Sequence, residues 1–147
     1  MQAISATTVR NQWSSVVESV IREKPTFIKR TRDYMFLSDI GVLQDLLAAY
    51  TFHAEILIED DGSVTLSLDE IDLAENAADV PSAISKLATS ILEYAEDYYK
   101  EFSYWSRGDR KGHVPYIFKA LILNDVDKIG GLVECRRGTR SCTSSSE

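Results

Sequence analysis

The chain has 147 residues, 44% hydrophobic and 27% charged, the composition of a globular protein with one respectable core or two small ones. No apolar run reaches the roughly 18 residues of a membrane helix. The start MQAISATT lacks the basic leader and apolar stretch of a signal peptide, so a cytoplasmic protein with no membrane partner is expected. The net charge of −7 is unevenly spread: residues 1–33 carry six Lys/Arg against three Asp/Glu, and residues 34–147 ten against twenty.

Such segregation points to one end facing a polyanion and the other a basic partner or water. Ser5, Thr7 and Thr8 form a hydroxyl cluster suited to capping a helix, because a side-chain oxygen accepts an orphan backbone N–H. Val9, Trp13, Val16, Val17, Val20 and Ile21 follow at spacings of three and four and predict one apolar helical face. Pro25 ends that helix. Arg10 lies about 100° around from Val9, at the edge of the stripe.

Thr26–Lys29 and Tyr34–Leu37 are apolar, β-prone runs flanking Arg30-Thr31-Arg32-Asp33. They predict a hairpin with a four-residue polar loop that lacks the usual glycine. Asp39 then caps a helix through Ile40, Leu43, Leu46, Leu47 and Tyr50. Elements this small cannot bury two apolar helix faces alone, and a second copy of the chain is the expected cover.

After Tyr50 the period changes to two. Phe52–Glu59 runs into Asp60-Asp61-Gly62, a hairpin turn, and Val64, Leu66 and Leu68 alternate with polar residues, as in a half-buried antiparallel strand. Ile71–Ala74 is the candidate third strand. Asp79-Val80-Pro81 opens the longest helix, whose stripe runs from Ile84 to Phe102 over about five turns. Pro115 favours a helix over the apolar run His113–Leu123, with a strand as the alternative. Ile129–Val133 reads as a short docking segment. The end, RRGTRSCTSSSE from Arg136, has no core former and reads as a disordered tail. Cys135 and Cys142 lie close to and within it, with spacing unlike a zinc site.

Catalytic patterns are absent: the sequence has no Gly-rich phosphate loop, no GxSxG, no HExxH and no paired CxxC. His53 and His113 read as structural, Asp60-Asp61 as a turn, and Glu93, Glu96 and Asp97 as a solvated helix face. No enzyme activity, cofactor or metal is expected. Lys29, Arg30 and Arg32 gather at the hairpin tip with Arg10 on the same side, and guanidinium groups fork onto phosphate or guanine.

Residues 4–50 resemble the N-terminal domain of the Phd/YefM antitoxins in Ile4-Ser5, Thr7, Arg10, Pro25, Arg30 and the capped Asp39-Ile40-Gly41-Val42-Leu43. Residues 52–102 are similar in order to a HicB-like antitoxin module, through Asp60-Asp61-Gly62, Leu66-Ser67-Leu68 and Ser82-Ala83-Ile84. These resemblances imply an α+β fold. A small dimerising domain (1–50) of strand–helix–hairpin–helix order comes first. A toxin-interaction domain (51–134) follows, with a three-stranded antiparallel sheet, a long helix and a C-terminal helix, and then a tail (135–147).

They imply the antitoxin of a type II toxin–antitoxin pair, a homodimer that binds a small basic RNase toxin and represses its own operon through operator DNA. Thr7, Arg10 and Arg30 carry over as DNA-binding positions, and Arg32 is added from its place at the basic tip. Asp33 departs from the family, which has a turn glycine there. The rival reading is a non-catalytic RNA- or protein-interaction module whose N-terminal part serves only for dimerisation; its acidic surface disfavours RNA.

Overall fold

A computed structural model describes residues 1–138. The chain divides into two compact units, Met1–Ala48 and the residues from Ala49 onward.

In the first unit, β1 (Ile4–Ser5) pairs in parallel with β2 (Thr26–Arg30), and β2 pairs antiparallel with β3 (Asp33–Leu37). Ser5 caps α1 (Ala6–Asn11), its hydroxyl accepting the Thr8 N–H at 3.1 Å. The single helix predicted from the valine stripe is two pieces, because Gln12 leaves the helical basin (φ −122°, ψ 35°) before α2 (Trp13–Arg22). The hydrogen-bond ladder still crosses the break: Gln12 N–H donates to Thr8 C=O at 2.9 Å, and Val16 N–H to Gln12 C=O at 3.0 Å. Val9, Val16 and Val20 bury against Ile28 of β2, flanked by Ala6 and Leu37. Trp13 and Ile21, predicted on the same stripe, stay 55% and 59% exposed.

The hairpin turns more tightly than predicted. Arg30 and Asp33 face each other within the ladder, which leaves only Thr31 and Arg32 as the loop. Two-residue loops fit the strand twist when a central residue takes positive φ, and Thr31 does so at φ 54°. The position that favours glycine is therefore 31, and Asp33 is a strand residue. The second helix, α3 (Ile40–Leu46), is shorter than predicted and starts at Asp39, whose carboxylate accepts the Gly41 N–H at 2.7 Å. A Cβ on Gly41 would sit 2.8 Å from that carboxylate oxygen, so glycine is what keeps the cap close.

The second unit holds a four-stranded sheet in the order β6-β5-β4-β7, where three strands were expected. β4 (Phe52–Ile58), β5 (Val64–Leu68) and β6 (Ala74–Ala77) are antiparallel, joined first through a turn where Gly62 takes φ 84°. The third strand lies three residues later than predicted. Before it the chain folds back, with Leu73 N–H bonded to Ile71 C=O at 2.7 Å and Leu68 N–H to Leu73 C=O at 2.9 Å. That bend drives Ile71 into the core at 1% exposure.

α4 (Val80–Lys100) is capped by Asp79, which accepts the Ser82 N–H at 2.8 Å, and carries Pro81 in its first turn. A short α5 (Phe102–Trp105) and a 3-10 turn (Gly108–His113) lead to α6 (Val114–Leu123). The apolar run after His113 is thus helical; Pro115 sits in its first turn and Asn124 closes it at φ 43°. The expected docking segment splits into α7 (Val126–Gly131) and the start of β7 (Val133–Arg137).

β7 pairs in parallel with β4 and places Cys135 opposite Ala54. Residues 135–137, assigned from sequence to a disordered tail, are therefore strand. Val133 and Cys135 alternate inward, and the ladder to β4 supplies what the composition of the segment does not show. Cys142 and the rest of the expected tail from 139 lie outside the described residues.

Thr31→Gly relieves the positive φ of a β-branched residue at the turn. It is expected to stabilise the first unit by about 1 kcal/mol, measured as an upward shift of its urea midpoint at unchanged m-value.

Candidate nucleic-acid interface

The four positions singled out from sequence all belong to the first unit and all are exposed. Thr7 lies in the first turn of α1, Arg10 in its last turn, Arg30 ends β2, and Arg32 stands in the two-residue turn. Among the described residues, none of the three arginines makes an ion pair. Arg22, by contrast, is bound to Glu18 one helical turn away.

Strand alternation sorts the hairpin cations onto two faces. Arg30 follows the buried Ile28 by two residues and so shares the sheet face that carries the helices. Lys29 lies on the other face, where its ammonium sits 5.5 Å from the centroid of the Tyr34 ring. Phe27 and Phe36 face each other across the same side, with ring centroids 5.2 Å apart. Lys29 is thereby separated from the arginines it neighbours in sequence.

Arg10 has a second setting that sequence reading missed. With Trp13 and Met35 it walls a half-open apolar hollow of about 400 Å³, floored by Val9 and Ile28. The signal was present in the helical spacing of Trp13, but it read as core. The break at Gln12 leaves Trp13 on the rim, covered on one side only.

Both histidines of the second unit are bound. His113 is buried, and its Nδ1 lies 2.8 Å from the Tyr94 hydroxyl. Arg110 lies over the Trp105 ring at 4.6 Å and the Tyr94 ring at 5.8 Å, while its carbonyl accepts the Tyr98 hydroxyl at 2.8 Å. Burial pushes the His113 pKa down, opposed by Asp72 and reinforced by Arg110. His53 lies on the exposed face of β4 between two carboxylates. No helix among the described residues is long and apolar enough to cross a membrane.

With this geometry in hand, the chain can be placed. A PHD-like family model, described as antitoxin of toxin-antitoxin, RelE/RelB, TA system, matches residues 1–135. The chain belongs to this antitoxin family, and a single model spans both units. Among solved structures it is similar to a 1.80 Å crystal structure from Syntrophomonas wolfei subsp. wolfei, described as an antitoxin part of a proposed toxin/antitoxin system. The identity is 35% and the TM-score 0.89, over 94% of this chain and 100% of that one. A comparison with curated proteins found no match.

Because the folded state disfavours the His113 imidazolium, this residue's contribution to stability is complete above its unfolded pKa of about 6.5. It is lost as pH falls below that value toward the lowered folded pKa. Urea midpoints between pH 7.5 and 5 are expected to fall less in His113→Gln than in the parent chain. Equal slopes would show that His113 is protonated alike in both states.

Proposed function

We propose that this antitoxin binds operator DNA through its first unit as a homodimer, represses its own operon, and neutralises a cognate toxin through its second unit. The observation that carries the DNA reading is the set of three exposed arginines without ion pairs, Arg10, Arg30 and Arg32, on one 48-residue unit. An exposed guanidinium without a carboxylate partner is open to a phosphate, which accepts it bidentately. Thr7, exposed in the first turn of α1, adds a hydroxyl of the kind that contacts backbone phosphates.

Support for self-association comes from the apolar surface of that unit. Trp13 and Met35 at the hollow, and Phe36 on the other sheet face, are each about half exposed, and α3 buries none of its residues although it carries Ile40, Val42, Leu43 and Leu46. Exposed apolar area of this density marks an interaction surface. A second copy doubles the arginine footprint and fixes the spacing of two half-sites.

For the toxin, the second unit offers acidic charge. From residue 49 the chain carries ten Lys/Arg against eighteen Asp/Glu. A toxin that acts on RNA is basic where it meets phosphate, and complementary fields speed and orient such an encounter. No catalytic role is assigned to either unit.

The test is a gel shift on the DNA upstream of the operon at several salt concentrations. Arg10→Ala and Arg30→Ala should each weaken binding and lower the slope of log K against log salt by about one. Unchanged affinity and slope in both variants, with self-association intact, would favour the rival in which the first unit only dimerises.

A further inference from the structure

We propose that β7 is a releasable strand, held to the second unit by a latch that is complete only when His53 carries a proton on both ring nitrogens. β7 is an edge strand, bonded on one side to β4 and, among the described residues, on the other to no strand. Its register sets Glu134 opposite His53 and Arg136 opposite Glu55 on the same exposed face.

Two clamps cross this edge. In one, His53 Nδ1 meets Glu70 Oε1 while Nε2 lies 3.3 Å from Glu134 Oε2. In the other, Arg136 Nη2 lies 2.5 Å from Asp69 Oδ2. Only the first can switch near neutral pH.

The switch follows from donor counting. A neutral imidazole has one N–H, and only the imidazolium donates from both nitrogens. Glu70 is anchored either way, since both of its oxygens accept the His53 backbone N–H at 3.0 Å. Glu134, on the strand, is 68% exposed and has no other partner among the described residues. When His53 loses its second proton, Glu134 is the carboxylate that loses its donor.

The acidic groups around His53 outweigh the one cation on the same face. Glu70 and Asp69 face it from the bend after β5, Glu55 from β4, and Glu134 and Arg136 from β7. Tyr116 of α6 lies near Glu70, and β5 presents the non-titrating Ser67. The Glu70 hydrogen bond, then the Glu70 and Glu134 charges, raise the His53 pKa, against desolvation and Arg136. With a raised folded value, the latch is complete below the unfolded pKa of about 6.5 and is lost as pH rises through the folded one. A loosened β7 bares the edge of β4 (Phe52–Ile58), and a bare edge is a template for a partner's strand.

Hydrogen exchange of the full-length protein from pH 6 to pH 9, corrected for intrinsic rates, tests this. Protection of residues 133–138 should fall about two- to five-fold over that range, the scale of one surface ion pair, while β5 stays level. His53→Gln should show the low protection at every pH, and Glu134→Gln, at an exposed position that leaves the fold intact, should abolish the pH dependence. If β7 tracks β5 throughout, or either variant keeps the parent profile, the latch does not exist.

Discussion

Everything in the second unit depends on covering one stripe of α4. The helix spans 21 residues, and along it Leu87, Ile91 and Tyr98 are essentially solvent-free, as are Ala83, Ala88 and Ala95 on the same stripe. The alanines let neighbours come close, and the large side chains fill the space. Gly130 of α7 shows how tight this is, since a Cβ there would lie 3.3 Å from Ile84 Cγ2. Each large apolar side chain taken fully from water contributes about 1.5–3 kcal/mol, so this one stripe ties the sheet and both C-terminal helices together. The polar groups that burial sweeps in are satisfied: His113 by Tyr94, Tyr98 by the Arg110 carbonyl, and Glu75 by Ser90 at 2.5 Å. Among the described residues no buried side-chain nitrogen or oxygen lacks a partner.

The first unit has no comparable element. Its cluster is Val9, Val16, Val20 and Ile28, four medium side chains for 48 residues. Trp13, Phe36, Ile40 and Leu46 are about half exposed or more, although each has the size and chemistry of a core residue. A unit this short buries only a modest fraction of its surface and is correspondingly marginal. The same sequence therefore contains one unit with a closed core and one with an open face.

The local signals in the sequence survived folding, and the non-local ones did not. Asp39 caps its helix as read, Ser5 is the one of three candidate hydroxyls that caps α1, and Asp79 stands at the start of the long helix where it was read, because a helix start is settled within three residues; Pro115 likewise sits in a first turn. The turn at Thr31 was misplaced by the polarity of Arg30 and Asp33, which looked like loop but are paired with each other. β6 was displaced because Ile71 and Leu73 have strand chemistry yet serve a bend. β7 was missed because Arg136 and Arg137 look like tail, and only the neighbouring β4 makes a strand of them. The arginines were legible as charge, but their sorting onto faces depended on the hairpin register. The hollow beside Arg10 depended on a helix break that no residue announces.

The charge split also changes meaning once the units are known. Over the whole of Met1–Ala48, six Lys/Arg meet five Asp/Glu, so the unit is nearly neutral. Its surplus is positional: Asp39 and Asp45 go to α3 and its cap, while Arg10, Arg30 and Arg32 stand at the end of α1 and the hairpin. Fields of exposed charges decay over about 10 Å at 0.1 M salt. A partner therefore meets the arginines it touches, not the sum over the unit. Under the proposed DNA-binding role, selectivity for a polyanion would come from where the guanidinium groups are held, and the short turn at Thr31-Arg32 and the last turn of α1 would be the places where backbone geometry decides it.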